Sequence, residues 1–231
     1  MVDNILQRLE QVRTRVRRAA EAAGRQAGDV RLVAVSKGQP AGAVRAALDA
    51  GQRDFGENYL QEALEKIEAI ADGQAVWHFI GPIQSNKTRD IAARFDWVQS
   101  LERAKIARRL SEQRPSEHGA LNVMVQVNIS GEASKSGVSP EATEALCRTI
   151  DSLPRLRLRG LMAIPEISDD VRAQRAAFAR LHALYDDLRT RGLALDTLSM
   201  GMSADLEAAI AEGATMVRIG TAIFGPRAPK A

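Results

Sequence analysis

Residues 31–38 have the sequence Arg31-Leu32-Val33-Ala34-Val35-Ser36-Lys37-Gly38. The apolar run in this stretch is typical of a strand buried on both faces, as in parallel sheets. Because Lys37 follows the run directly, we expect it at the carboxyl edge of the sheet, where α/β folds bind ligands. A lysine among apolar neighbours there can lose its proton and form a Schiff base with a carbonyl compound. It can also simply mark the end of a strand and point into water.

A regular alternation of strands and helices follows this first strand. The predicted strands cover residues 32–35, 52–59, 76–81, 97–100, 122–129, 156–162, 196–200 and 216–220. The second of them is short and runs directly into a helix that ends near residue 72. The other predicted helices cover residues 41–50, 85–94, 101–113, 140–153, 171–191 and 204–212, so only the last strand lacks one. Such alternation predicts parallel βαβ units. Eight units predict an α/β fold in the form of a closed (β/α)8 barrel of the TIM type, with a doubly wound open sheet as the alternative.

One further helix is predicted before the barrel. Apolar residues recur at helical spacing within residues 3–24, ahead of the first strand. We therefore expect a single domain over residues 1–231, with the extra helix in residues 1–25 and the barrel in residues 31–225.

Composition excludes several classes of function. The chain has 32 basic and 29 acidic residues, a net charge of +3, without an isolated basic block, which argues against a nucleic-acid surface. Cys147 is the single cysteine, and His78, His118 and His182 lack metal-ligand spacing, so we expect neither a disulfide framework nor a metal site. The N-terminal residues contain an early acid and no long apolar run, which predicts a cytoplasmic protein without a signal peptide or membrane span.

In a barrel the carboxyl ends of all strands meet at one face. The residues at these predicted ends are Lys37, Asn58, His78–Gly81, Asn128, Met162, Ser199–Ser203 and Gly220–Thr221. The loops after strands seven and eight are where such barrels usually hold a phosphate, and glycines, hydroxyls and a helix start near Ala204 suit an anion. Ser203 can instead be only a helix cap, and Gly220 only a turn residue.

Arg218 interrupts the apolar pattern of the last predicted strand. Met216, Val217 and Ile219 surround it. A buried arginine is either ion-paired for structural reasons or functional, for example as a donor to the ring nitrogen of an aromatic cofactor.

Four further segments were considered for a role in the structure or at the site. Asn58 can cap a helix or touch a ligand, and His78 is expected to be a hydrogen-bonded core residue rather than a base. Ser85 is predicted to cap the helix that follows it. Residues 134–137 form a polar loop that is either a mobile flap or a solvated turn.

Five motifs of the chain together resemble the pyridoxal phosphate homeostasis protein family. They are Val35-Ser36-Lys37, Phe55-Gly56-Glu57-Asn58-Tyr59, residues 78–87 (HFIGPIQSNK), residues 199–205 (SMGMSAD) and Val217-Arg218-Ile219-Gly220. Because they run in order from the first predicted strand to the last, the resemblance covers essentially the whole chain.

The resemblance implies an alanine-racemase-like barrel (fold type III) that binds pyridoxal 5′-phosphate (PLP) as a Schiff base on Lys37. It also implies that Arg218 faces the pyridine nitrogen and that Asn58 lies near the ring. The residues implied at the phosphate end are Ser203, Gly220 and Thr221, with Ser199 and Met200 lining the same end.

The expected function is that of a carrier rather than an efficient enzyme. An arginine keeps its proton, so the ring nitrogen that it faces stays unprotonated and the ring withdraws electrons poorly. Related racemases take a second base, a tyrosine, from another domain of a partner subunit. This chain offers only Tyr59 and Tyr185, the latter in a predicted outer helix.

We therefore expect a cytoplasmic monomer that takes part in PLP (vitamin B6) and amino-acid homeostasis, with at most weak racemase-type activity. The expected partners are PLP, other B6 vitamers and apo forms of PLP enzymes, without nucleic acid or membrane. The alternatives are a PLP-dependent amino-acid racemase and a Schiff-base aldolase that uses no PLP.

Overall fold

Eight parallel strands form a closed barrel in the computed structural model, which describes residues 2–132, 136–166 and 168–226. The strands are β1 Arg31–Val35, β2 Asp54–Glu57, β3 Val76–Phe79, β4 Trp97–Leu101, β5 Leu121–Gln126, β6 Leu156–Met162, β7 Thr197–Ser199 and β8 Met216–Ile219. Each strand pairs in parallel with the next along the chain, and β8 closes the ring on β1. The closed barrel is confirmed over the open sheet.

Helices surround the barrel. They are α1 Val2–Ala22, α2 Ala41–Asp49, α3 Leu60–Ile70, α4 Thr88–Arg94, α5 Ala104–Gln113, α6 Pro140–Asp151, α7 Val171–Thr190, α8 Leu206–Ala211 and α9 Thr221–Phe224. Short 3₁₀ turns occur at Ala27–Asp29, Ser85–Lys87 and Ser116–His118. The extra N-terminal helix is thus present as α1.

Some predicted boundaries are wrong. The last strand is followed by a one-turn helix, α9, rather than by an irregular tail. Ser85 does not cap α4, because it lies in a 3₁₀ turn and its carbonyl oxygen accepts a hydrogen bond from Thr88 Oγ1 at 3.0 Å. β5 ends at Gln126 rather than at residue 129, and beyond it only a single bridge joins Val127 to Val138.

Two apolar layers hold the barrel together. The interior layer consists of Val33, Trp97, Met124, Met162 and Met216, which point toward the barrel axis. A larger layer lies between the strands and the helices, since side chains alternate faces along each strand. Alternation also places Arg218 on the interior face, two residues after Met216.

α1 covers the seam where the barrel closes. Its buried stripe is Ile5, Leu9, Val12, Val16 and Ala20, and it packs against α2, α8 and α9. The Arg15 guanidinium pairs with Glu207 of α8 at 2.8 Å and also donates to the Ser203 carbonyl at 3.1 Å. Because α9 has only one turn, α1 supplies the apolar cover that a full helix after β8 would otherwise give.

Two features are absent from the described part of the chain. No helix there is both long and apolar enough to cross a membrane. No group of three or more His, Cys, Asp or Glu side chains is arranged there to hold a metal ion.

Candidate functional site

A cavity of about 280 Å³ opens at the carboxyl face of the barrel. Six of the eight predicted site residues line it, namely Lys37, Asn58, Ser203, Arg218, Gly220 and Thr221. The wall also contains apolar side chains at strand ends and mouth loops, including Val35, Ile80, Ile164 and Pro165. A space of this size, apolar with a few converging polar groups, suits one small ligand.

Lys37 lies directly beyond the end of β1. The Ser36 N–H continues the sheet by donating to the Gly56 carbonyl at 3.0 Å. The chain then turns, with Gly38 at a φ of 71° and the Gln39 N–H donating to the Ser36 carbonyl at 3.0 Å. A positive φ favours glycine, which explains the residue type after the lysine. The lysine side chain therefore projects from a fixed turn at the cavity wall.

A buried ionic cluster holds the backbone on both sides of Lys37. Lys66 Nζ of α3 donates to the Ser36 carbonyl at 2.6 Å, to Glu57 Oε1 at 2.7 Å and to Glu62. Ser36 Oγ donates to Glu57 Oε1 at 2.6 Å, and the Gly38 N–H donates to Glu62 Oε1 at 2.6 Å. Burial raises the pKa of Glu57, while the Lys66 charge opposes that rise.

Arg218 is fully buried at the cavity wall. One terminal N–H group donates to Ser199 Oγ at 2.6 Å and the other donates to the Ala163 carbonyl at 2.9 Å. No carboxylate of the described residues forms an ion pair with this guanidinium, and burial lowers its pKa to about 10, with Asp205 partly opposing the change. Since a buried charge without a counter-charge is costly, the functional interpretation of Arg218 is favoured over a structural ion pair.

The loops after β7 and β8 meet at the other side of the cavity. Gly220 packs so closely that a Cβ there would lie 3.2 Å from the Val35 carbonyl oxygen. The Met202 N–H donates to Asp205 Oδ1 at 2.6 Å, and α8 begins only at Leu206. The N-cap position of α8 is taken by Asp205, so the alternative in which Ser203 caps this helix is wrong. Ser203 lies on the cavity wall.

Ser199 and Met200 do not line the cavity, contrary to expectation. Ser199 is fully buried inside the barrel, between Arg218 and Gln99, and its Oγ donates to Gln99 Oε1 at 2.7 Å. Met200 is fully buried in the layer between strands and helices. The reason is side-chain alternation, which sends successive residues of β7 inward and outward. Ser199 therefore contacts Arg218 from behind the wall.

Other predicted residues have these positions. Asn58 lines the cavity, and the N-cap position of α3 is taken by Tyr59. His78 is a buried hydrogen-bonded residue, as expected. Tyr185 is buried in α7, where its hydroxyl donates to the Leu195 carbonyl at 3.1 Å, so neither tyrosine is part of the wall. Of the loop 134–137, residues 134 and 135 lie outside the described residues, so the choice between flap and turn stays open there.

Comparison with known proteins identifies the family. Residues 7–228 match the family described as alanine racemase, N-terminal domain. The pyridoxal phosphate homeostasis protein of Pseudomonas aeruginosa is 62% identical over 98% of this chain and 97% of its own length. This chain belongs to the pyridoxal phosphate homeostasis protein family.

Solved structures agree with this assignment. The structure of PipY from Synechococcus elongatus with PLP bound has a TM-score of 0.83 and 34% identity, over 96% of this chain and 100% of that one. Alanine racemase from Corynebacterium glutamicum has a TM-score of 0.70 at 17% identity, over 98% of this chain but 61% of the racemase. The second likeness shows that this member of the homeostasis family shares the racemase barrel fold.

Three residues that lie behind the cavity wall were not predicted from the sequence, namely Glu57, Lys66 and Gln99. Lys66 occupies the buried face of α3 together with Ala63 and Ile70, so a lysine at an apolar-stripe position was the available signal. Glu57 ends a strand whose neighbouring residues are buried. Gln99 carries no such signal, since its role depends on contacts with β3 and β7.

Gly81 sets the position of Asn58 in the wall. A Cβ at residue 81 would lie 2.2 Å from the Asn58 carbonyl oxygen, which is too close for any real contact. We expect Gly81→Ala to lower the free energy of unfolding by roughly 1–3 kcal/mol and to weaken ligand binding, because the segment around Asn58 must move. Denaturant unfolding measures the first effect. Gly73→Ala, which meets nothing within 4 Å, should change stability little and serves as the control.

Proposed function

We propose that this protein binds PLP reversibly in the cytoplasm, as a Schiff base on Lys37, and serves PLP and amino-acid homeostasis as a carrier. The supporting observation is that a strand-end lysine and a fully buried arginine, which pairs with no carboxylate of the described residues, line the same cavity. The relatives named for PLP homeostasis and the PLP-bound PipY structure support the choice of ligand.

The chemistry of the cavity residues supports this choice of cofactor. Lys37 supplies the primary amine that binds an aldehyde covalently. Arg218 would offer N–H donors to the ring nitrogen, and Ser203, Gly220 and Thr221 would offer hydroxyl and backbone N–H donors to the phosphate. When bound, PLP supplies an aldehyde that can pass between amines and a ring that withdraws electrons.

The same residues disfavour rapid turnover. Even with its pKa lowered to about 10, Arg218 stays protonated at neutral pH. A ring nitrogen facing it would therefore accept a hydrogen bond without being protonated. Among the described wall residues the ionisable side chains are Lys37, Asp205 and Arg218, and Asp205 Oδ1 already accepts the Met202 N–H. A second acid or base on the opposite face of the ligand, which racemisation needs, is thus not supplied by this wall.

Titration of the purified protein with PLP tests the proposal. We expect a yellow complex that borohydride fixes onto Lys37, as located by peptide mass spectrometry, and release of PLP to the apo form of a PLP enzyme. A panel of L- and D-amino acids should give turnover well below about 1 per second, the lower end of the usual enzyme range.

Other outcomes separate the alternatives. Rapid Lys37-dependent exchange of the amino-acid Cα proton for deuterium would establish a racemase in place of a carrier. A colourless protein that forms a borohydride-stable adduct with a phosphorylated sugar would establish an aldolase without PLP. A single symmetric sedimentation boundary at the monomer mass is expected throughout.

A further inference from the structure

We propose that Gln99 is a positioning residue that orients Arg218 toward the ring nitrogen of PLP, through a one-way chain of hydrogen bonds that crosses the barrel. This inference rests on the proposed function. The chain connects the cavity wall to the opposite, amino-terminal end of the barrel, where β2 begins with Asp54. Its members come from five different strands.

The contacts are short and continuous. Arg218 donates to Ser199 Oγ at 2.6 Å, and Ser199 Oγ donates to Gln99 Oε1 at 2.7 Å. Gln99 Nε2 lies 2.9 Å from His78 Nδ1, and His78 Nε2 lies 2.9 Å from Asp54 Oδ1. All members but Asp54 are buried inside the barrel, away from bulk solvent.

The two ends determine the direction of every bond. A guanidinium can only donate and a carboxylate can only accept. Ser199 accepts from Arg218 and so has its own proton available for Gln99 Oε1. The Gln99 amide nitrogen must then donate to His78 Nδ1, which leaves the single imidazole proton on Nε2, facing Asp54. Neutral His78 and one amide orientation satisfy the whole chain.

Burial disfavours the reverse arrangement. If the Gln99 amide were turned by 180°, its oxygen would face His78 Nδ1, which would need a second proton. The charged groups around this imidazole are Asp54 on β2, Arg31 on β1 and Asp96 before β4. Burial lowers the pKa of His78, although the two carboxylates oppose this change. His78 also stacks on Trp97, with ring centroids 5.4 Å apart. A neutral imidazole therefore keeps the Gln99 oxygen directed toward Ser199.

The consequence for the cavity follows from geometry. Arg218 has two fixed contacts, one to Ser199 and one to the Ala163 carbonyl. Without the first, the guanidinium can rotate about its remaining contact, and its N–H groups no longer face a ligand in one orientation. Ser199 alone cannot supply the constraint, because a hydroxyl rotates freely unless its proton is also bound, and Gln99 binds that proton.

The experiment uses the full chain and PLP labelled with ¹⁵N in the ring. We expect the ring ¹⁵N signal of the wild-type complex to show an unprotonated, hydrogen-bonded nitrogen. Ser199→Ala and Gln99→Leu should move that signal toward an unbonded nitrogen and weaken PLP binding roughly ten- to a hundredfold, the range for a hydrogen bond to a charged group. Ser199→Thr retains the hydroxyl and should restore most of the wild-type signal.

Two further variants separate positioning from stability. Asp54→Asn, at the far end of the barrel from the cavity, should shift the ring signal in the same direction by a smaller amount. Met124→Ala, a fully buried interior residue outside the chain, should lower stability yet leave the ring signal unchanged. If Gln99→Leu keeps the wild-type ring signal and affinity, the proposal is overturned. Should Gln99→Leu not fold, an unchanged ring signal in Asp54→Asn overturns it.

A measurement without PLP distinguishes this inference from the proposed function. In the ligand-free protein the ¹⁵N signals of the His78 imidazole should show a neutral ring with its proton on Nε2. If this pattern is present but the wild type binds no PLP, the proposed function fails while the chain stands. A protonated His78 near neutral pH would contradict the chain itself.

Discussion

Lys37→Ala should stay colourless in the presence of PLP and give no borohydride-stable adduct, whereas the wild type turns yellow. Alanine has no amine, so the covalent bond to the aldehyde cannot form. The contacts expected from Arg218 and from the loops after β7 and β8 remain, so we expect a weaker, non-covalent complex. Absorption spectroscopy detects the lost covalent form, and equilibrium dialysis measures the residual binding.

Two matched variants make this result specific to Lys37. Lys37→Arg keeps the positive charge but lacks a primary amine, so it should also stay colourless, which separates covalency from charge. Lys87→Ala removes an exposed lysine near the same rim and should behave as the wild type. A Lys37→Ala protein as yellow as the wild type, with the adduct on another lysine, would refute the assignment of Lys37.

The parts of the site that the sequence predicted depend on local features. Lys37 was found because an apolar run ends on it, and parallel strands bring their carboxyl ends together. Arg218 was found because its neighbours along the strand are apolar. Both residues stand out from their neighbours in the chain, and only the parallel arrangement of the strands is needed to place Lys37 at the edge of the sheet.

The errors arise where structure depends on contacts between distant residues. Ser199 and Met200 belong to the right motif, but which of the two points toward the axis is set by the pairing of β7 with β6 and β8. The start of α8 is two residues later than predicted, because the Asp205 side chain binds the Met202 N–H in a turn. Gln99 gains its role only when closure of the barrel brings it beside Ser199, a hundred positions away.

The second large effect is expected at Lys66. Lys66→Met removes the cation that neutralises Glu57, whose carboxylate is fully buried and cannot turn toward water. Breaking a buried ion pair on one side typically costs about 3–5 kcal/mol of folding free energy. Denaturant unfolding at neutral pH should show a loss of this order. The Ser36 carbonyl also loses its donor, so the turn that carries Lys37 should loosen and PLP binding should weaken.

Control variants distinguish the buried charge from lost packing. Lys66→Met combined with Glu57→Gln removes the unpaired carboxylate and should recover a substantial part of the stability, because a neutral amide is less costly to bury. Glu62→Gln changes the partly exposed partner of Lys66 and should have a smaller effect. If the double variant is as unstable as Lys66→Met alone, the loss comes from packing and not from the charge of Glu57.

The pH dependence of the same variant gives an independent measure of that charge. Burial raises the pKa of Glu57 in the folded wild type, and loss of Lys66 removes the main factor that lowers it. Between the ordinary pKa of a glutamate and the raised pKa of Glu57, the folded protein holds a proton that the unfolded chain has released. The stability lost through Glu57 therefore grows as the pH rises through this interval. Below that range both states are protonated and this loss disappears. The stability gap between wild type and Lys66→Met should therefore narrow steadily as the solution is acidified toward pH 4. A gap independent of pH would show that the titration of Glu57 does not contribute to it.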